Sequence, residues 1–424
     1  MLQVDEVRMR NATGICTALL AIVLGCSSEA SLRQASETAE VKVATIELKI
    51  VAHQDDDLLF MNPDLAESIG AGRTVRTVFV TAGDAGRGAE HWTRREEGIL
   101  EAYATMASAD NSWDASTLLV GGQQVQLRSL SKLPRVSVVF LRLPDGNGHG
   151  GGFPATHKES LASLWSGKIP ALHPVDGSAS YSKPELIGVL TGLMAGLKAQ
   201  TIDTQDWTGR FKGDHSDHFS AATFAHAAEQ AYEGAHKTRV YRGYNVIREP
   251  VNLLSGQQAA KQTFFLSYAK HDGQLCPPGT GACKARSDYP RYLGRQYPFI
   301  PGNLVGPGGK CLQVVSEKMG QGRVAMRACR DIPEQKWSMK RKELQSLKGG
   351  CLATEEALGA SPAALLLGPC GADDRTWSMS ANGHLKSDED LCATLSAGGP
   401  DHDPQLVANS CGDVPEQKWR LYDR

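Results

Sequence analysis

Ile46-Glu47-Leu48-Lys49-Ile50-Val51-Ala52-His53-Gln54-Asp55-Asp56-Asp57 is a β-branched, apolar run that breaks off into one imidazole and three consecutive carboxylates. The run reads as a short strand, and two more of the same kind stand at Thr74 to Thr81 and Val136 to Leu143. Helical stretches alternate with or follow them at Pro63 to Gly70, Thr93 to Ala107, Lys183 to Ala199 and Asp217 to Ala235. Strand alternating with helix predicts a parallel sheet covered by helices over residues 45–300. In such sheets ligands lie beyond the carboxyl ends of the strands, so the residues that leave Ala52 are the first candidates for a site. Three adjacent acids repel one another there, and a cation nearby would relieve them.

The remaining composition sets the context. At 424 residues the chain has room for two or three domains. Lys+Arg 45 against Asp+Glu 47 leaves no basic excess to displace counterions from phosphate, which argues against a nucleic-acid partner. Cys16 and Cys26 lie near the start, and the other eight cysteines lie from Cys276 onward. The apolar run Gly14 to Cys26 follows Arg8 and Arg10 and is shorter than the roughly 20 residues that span a bilayer. A small, polar stretch follows it, so residues 1–26 read as a secretory signal peptide and 27–44 as a linker. Asp5 and Glu6 suit such a signal poorly, and Met9 is the alternative start. Val23-Leu24-Gly25-Cys26 resembles a bacterial lipobox, in which Cys26 carries lipid after cleavage. The expectation is an exported protein: a bacterial lipoprotein, periplasmic or on the cell surface and held to the membrane by its lipid alone, or a secreted one. Its cysteines would then be open to oxidation.

The tail is a three-fold repeat. Cys311 and Cys329, Cys351 and Cys370, and Cys392 and Cys411 recur with near-constant spacing, each pair followed by a tryptophan: Trp337, Trp377 and Trp419. Three-fold symmetry selects disulfides within each repeat: Cys311–Cys329, Cys351–Cys370 and Cys392–Cys411. Pro333-Glu334-Gln335-Lys336-Trp337 returns almost unchanged as Pro415-Glu416-Gln417-Lys418-Trp419. Three copies with Gln-x-Trp resemble the ricin-B-type β-trefoil lectins over residues 303–424, which implies an all-β trefoil domain and a carbohydrate partner. The lectin pattern expects an Asp soon after each first cysteine, where Gln313, Ala353 and Thr394 stand, and an aromatic before each second cysteine, where none stands. The tryptophans are expected in the core.

A second polar cluster, Gly213-Asp214-His215-Ser216-Asp217-His218-Phe219, opens the helix through Ala221 and Ala222. Histidines three apart at a helix start share a side and can converge on one ion. Asp214 or Ser216 can cap that helix. The two clusters together resemble the N-acetylglucosaminyl-phosphatidylinositol de-N-acetylase family, the LmbE-like zinc deacetylases. Its Ala-His-Pro-Asp-Asp-Glu reads here as Ala52-His53-Gln54-Asp55-Asp56-Asp57, and its His-x-Asp-His as His215-Ser216-Asp217-His218. Val80-Thr81-Ala82-Gly83-Asp84-Ala85-Gly86 looks like the family's loop after the second strand.

The resemblance implies a Rossmann-like α/β catalytic domain at 45–300 that holds Zn2+ through His53, Asp56 and His218, with a coordination position left for water. It implies Asp55 as general base and His215 as the group that steadies the oxyanion beside the metal. Asp55 or a protonated His215 would return a proton to the departing amine, and Asp217 would fix a histidine's tautomer. Gln54 and Asp57 depart from the family's Pro and Glu, neither of which is a ligand. Asp84, Arg87 and Arg95 are candidate contacts to the substrate, with Arg94 and Arg95 at the start of a helix. Asp145-Gly146-Asn147-Gly148-His149-Gly150-Gly151-Gly152-Phe153 reads as a flexible surface loop, with a lid as the alternative. Cys276 and Cys283 are expected to close a small disulfide loop. The function so implied is a zinc-dependent N-deacetylase acting on an N-acetylated sugar or glycan. The alternatives are a carbohydrate-binding protein without activity and a zinc amidase on a non-sugar amide.

Overall fold

The structure is a computed structural model and describes residues 45–208, 213–279, 283–300, 302–318, 321–330, 332–355, 363–371, 376–380, 382–396 and 405–421. The expected signal peptide with Cys16, the expected lipidation site Cys26 and the expected linker to residue 44 lie outside these residues. Among the described residues no helix is long and apolar enough to cross a membrane.

The first part of the chain builds β1 (Ile46–Val51), β2 (Thr74–Thr81), β3 (Trp113–Val120), β4 (Gln123–Leu130), β5 (Leu133–Leu143), β6 (Thr201–Gln205), β7 (Lys237–Tyr241) and β8 (Pro298–Phe299). They form a sheet in the order β3-β4-β5-β2-β1-β6-β7-β8. β5, β2, β1, β6 and β7 run parallel. The hairpin β3–β4 and the short β8 add antiparallel edges. β1 pairs with β2 on one side and β6 on the other, so the winding direction reverses at its carboxyl end. That is the switch point at which open sheets leave a crevice.

The helices are α1 (Asp56–Phe60), α2 (Asp64–Gly70), α3 (Ala89–Met106), α4 (Leu161–Trp165), α5 (Lys183–Leu197), α6 (Ser216–Gln230), α7 (Ser255–Ala269), α8 (Lys284–Ser287) and α9 (Pro290–Leu293). Alternation along β1 sorts them onto two faces. Leu48, Ile50 and Ala52 pack with α4, α5 and α6, whereas Val51 packs with α1, α2, α3 and α7. Glu47 and Lys49 are buried as well, which a central strand tolerates because they are paired. Lys49 Nζ lies 3.1 Å from Glu47 and 2.5 Å from Asp203 of β6, and Arg239 of β7 reaches Asp203 at 2.8 Å.

The second part forms a twelve-stranded antiparallel β arrangement from Leu304–Val305 to Arg420–Leu421, a β-trefoil. Its core repeats three-fold: the indole N–H groups of Trp337, Trp377 and Trp419 donate to the carbonyls of Leu312, Leu352 and Ala393, each one residue past a first cysteine. Disulfides join Cys311–Cys329, Cys351–Cys370 and Cys392–Cys411, and a further one joins Cys276–Cys283. At the expected sugar positions, Gln313 and Thr394 accept hydrogen bonds from Gln335 and Gln417 at 2.9 and 3.0 Å. The glutamines of the two Gln-x-Trp strings are therefore turned inward and buried.

Candidate active site

The chain leaves β1 in a tight turn, and the three acids part company. Asp56 opens α1, with its Oδ2 accepting the backbone N–H of His53 at 2.6 Å. Asp57 turns away from the crevice toward α3, where the Tyr103 hydroxyl and the Leu58 N–H hold it. Burial, against those hydrogen bonds, pushes its pKa up to about 7. Asp55 faces the crevice and accepts from Arg95 NH2 at 2.9 Å. The expected mutual repulsion is thus relieved by separate partners.

Gly213 to Asp217 brings the second cluster over the first. His215 is the N-cap of α6, its Nδ1 accepting the Asp217 N–H at 3.2 Å, so neither Asp214 nor Ser216 caps the helix. A neutral His215 with an accepting Nδ1 carries its proton on Nε2. Burial and the neighbouring His53 and His218 push its pKa down to about 3, so the imidazole is neutral, which favours Asp55 of the two expected proton donors. Asp214 instead receives His218 Nδ1 at 2.7 Å, which leaves His218 Nε2 facing Asp56 Oδ1 at 2.8 Å. Asp217 lies 3.3 Å from His53 Nε2 and also accepts the Gly146 N–H at 2.8 Å. His53 Nδ1 is 3.3 Å from Asp56.

These contacts fix the charges. Burial works against charged His53, but Asp56, Asp217 and Asp145 outweigh it and hold its pKa well above the usual histidine value. Burial likewise opposes ionised Asp56, yet His218 and His53 hold it well below the usual carboxylate range. Burial raises Asp55 despite Arg95, with Asp56 adding to the rise.

Arg95 is a working part of the crevice wall: besides Asp55 it donates to the Gly83 carbonyl and the Tyr268 hydroxyl, both at 2.6 Å, and lies 3.2 Å from Asp272. Gly83 sits at φ +54°, and a Cβ there would collide with the Arg95 guanidinium. Asp84, expected to meet substrate, is fully buried and serves the turn instead. Its carboxylate takes the N–H groups of Gly86 and Asp145. Arg87 is exposed and does not line the cleft. The loop after β5 is pinned, contrary to the flexible reading: Asn147 bonds Gly152, Ser160 bonds the Gly150 carbonyl, and Gly146 bonds Asp217. Its Phe153 and Asn147 line the cleft.

The cleft holds about 230 Å3. It is lined by His53, Asp55, Asp145 and His215 together with Arg95, Tyr244, Asp272 and Tyr289. Sequence reasoning gave no role to Asp145 and read Asp214 only as a helix cap. Asp145 had a signal, since it leaves the third parallel strand as His53 leaves the first. Two overlapping groups bring ligand atoms within 4.8 Å of one another: His53, His215 and His218, and His53, Asp145, His215 and Asp217. Asp56 Oδ1 and His218 Nε2 are both buried and face each other as an ion pair at 2.8 Å, and neither has a further hydrogen-bond partner. Asp56 and Asp214 outweigh burial and push the His218 pKa up to about 10, and a divalent cation that displaced this proton would take both facing atoms as ligands.

Residues 48–229 match the sequence model of the family described as GlcNAc-PI de-N-acetylase, and residues 301–419 match that of the ricin-type beta-trefoil lectin domain. No curated protein matches the chain. Among solved structures, a non-toxic homologue of type II RIPs from Momordica charantia (bitter gourd), in complex with alpha-methyl-D-galactoside, is 23% identical with a TM-score of 0.25. The match covers 29% of this chain, which spans only 47% of that protein. The C-half of the earthworm R-type lectin in complex with GalNAc is 15% identical over 29% of this chain and 98% of its own, with a TM-score of 0.24. A conserved protein of Thermus thermophilus is 18% identical over 60% of this chain and 93% of its own, with a TM-score of 0.33.

Proposed function

We propose that this chain is a zinc-dependent N-deacetylase that removes the acetyl group from an N-acetylated sugar. The observation that carries the reading is the buried convergence of His53 and His218 with Asp56, whose Oδ1 faces His218 Nε2 at 2.8 Å, within the segment that matches the GlcNAc-PI de-N-acetylase family. His53, Asp56 and His218 would hold the metal. Bound zinc supplies a Lewis acid that lowers the pKa of a water to about 7.

The chain's own residues supply the rest. Asp55, with Oδ1 held by Arg95, takes the proton of the attacking water on its other oxygen and passes it to the departing amine. Because His215 is neutral with its proton on Nε2, it donates to the carbonyl oxygen as negative charge builds there. Asp214 and Asp217 orient His218 and His53. Tyr244, Tyr289 and Phe153 offer apolar faces to a sugar ring, and Asn147, Gln274 and Asp272 offer partners for its hydroxyls. The trefoil would bind glycan and keep the enzyme near its substrate. Four disulfides suit an oxidising compartment, and with them an exported protein anchored by lipid on Cys26 or secreted.

The test is acetate release from N-acetylglucosamine oligomers and conjugates by zinc-loaded protein. Wild type should release acetate, and Asp55→Asn should lose roughly 100- to 10,000-fold of the rate. Zinc-loaded wild type that frees acetate from none of these substrates would overturn the sugar deacetylase. Release from simple amides alone would favour the non-sugar amidase.

A further inference from the structure

We infer that the trefoil helps to build the active site: Arg420, on its last strand, positions His218 through a bracket formed by residues 242–249. The inference rests on the reading of His218 as a metal ligand.

The bracket follows β7 as Arg242-Gly243-Tyr244-Asn245-Val246-Ile247-Arg248-Glu249, with a 3-10 turn at Tyr244–Arg248. One end grips Asp214, the carboxylate that orients His218. Gly243 passes so close that a Cβ would overlap that carboxylate. The Tyr244 N–H donates to Asp214 Oδ1 at 3.0 Å, and Asn245 Nδ2 reaches Oδ2 at 3.4 Å. The Tyr244 ring also lies 5.0 Å from the His218 ring and lines the cleft. A shift of this segment would therefore move both the orienting carboxylate and a cleft wall.

The other end is held by charge. Arg242, 2% exposed, donates to the side chain and carbonyl of Asn245 at 2.9 and 3.1 Å and pairs with Glu249 Oε1. The second oxygen of Glu249 takes Arg420 NH2 at 2.5 Å, and the Arg420 guanidinium lies 5.6 Å over the Tyr297 ring. A single 3-10 turn has weak hydrogen-bond geometry of its own, so its register depends on what clamps its ends. Glu249 shared between two guanidinium groups is such a clamp, and one of the two belongs to the trefoil. The Arg420 side chain is 37% exposed, so its ion pair contributes little to stability as such. Its effect is expected in the geometry at His218. Bracket and trefoil both lie beyond the segment that matches the deacetylase family.

The experiment titrates Co2+ into metal-free full-length protein and follows its visible absorption bands, with a thermal melt to check folding. Partners that orient metal ligands typically change affinity about 10- to 100-fold. Arg420→Ala should weaken Co2+ binding about 2- to 5-fold and shift the bands with little change in melting, and Arg420→Lys should recover much of both. Lys418→Ala, which loses a pair with Asp413 inside the trefoil, should leave both unchanged. Asp214→Asn should weaken binding at least as far, and Arg420→Ala should add nothing in that background. Wild-type affinity and spectrum in Arg420→Ala, or additive losses in the double variant, would overturn the inference. A wild type that binds no Co2+, indistinguishable from His218→Ala, would remove the ligand reading and the inference with it.

Discussion

Replacing Arg95 by methionine removes the guanidinium that stands against both Asp55 and Asp272, whose neighbouring carboxylates are each 4% exposed. Arg95 is itself 8% exposed, and its loss also leaves the Gly83 carbonyl and the Tyr268 hydroxyl without this donor. Breaking a buried pair by deleting one partner costs about 3–5 kcal/mol, because the remaining charge is stranded. At roughly 2–4 °C per kcal/mol, the melting temperature should fall by roughly 6–20 °C at pH 7.5. The sign of the pH dependence follows from Asp272. Burial opposes its ionisation, but Arg95 and the Gln274 N–H outweigh that and hold its pKa below the ordinary value. Its contribution is therefore complete above the ordinary carboxylate pKa and is lost as pH falls through the folded one. Without Arg95 that contribution disappears, so the deficit of the variant should be largest at neutral pH and shrink toward about pH 4. Urea and thermal melts of wild type and Arg95→Met at about pH 7.5 and 4.5 measure it. A loss under about 1 kcal/mol at pH 7.5, or a larger deficit in acid, would show that Arg95 does not neutralise these carboxylates.

Three further outcomes follow from other parts of the molecule. Lys261 is buried against the carbonyls of Arg295 and Tyr292, and burial pushes its pKa down to about 7. The unfolded chain binds the extra proton between there and the usual lysine value, so stability through this group rises with pH. Relative to Lys261→Met, wild type should gain about 2–3 kcal/mol between pH 7 and 9, as read from urea midpoints. Gly243→Ala forces a methyl into the Asp214 carboxylate, and calorimetry should show zinc bound roughly 10-fold more weakly. Trp337→Phe strands the Leu312 carbonyl and leaves a void, for about 2–4 kcal/mol, and Trp377→Phe should cost a similar amount because its indole meets Leu352 in the same way.

The parts of the site that could be read from the sequence are those where a local pattern meets chemistry. The β-branched run to Ala52 marks a strand, and the imidazole and acids beyond it sit at the switch point that an α/β order creates. His215 to His218 are legible because two imidazoles at a helix start share a face. Polar strands were harder to see. Thr201–Gln205 is wholly buried, yet Asp203 and Thr204 hide it from any apolar pattern, because its partners Lys49 and Arg239 come from other strands. The hairpin Trp113–Leu130 did carry a cue in Gly121-Gly122, a two-residue turn between two runs. Asp272 could not be read, since it stands far along the chain from Arg95 and reaches it only after α7 has packed on α3. Asp84 shows the opposite error: an acid in a glycine-rich loop looks available to substrate, and backbone N–H groups claim it instead. In the trefoil, cysteine and tryptophan spacing carried the fold outright, because a symmetric core repeats in the sequence as it does in space.

The proposed chemistry requires a metal between His53, Asp56 and His218. Anomalous X-ray scattering at the zinc edge, from crystals of protein purified with zinc, tests it most directly. One strong peak is expected about 2.0–2.2 Å from a ring nitrogen of His53, Asp56 Oδ1 and His218 Nε2. A peak held instead by Asp145, His215 and Asp217, or fully zinc-saturated crystals with no peak at His218, would contradict it.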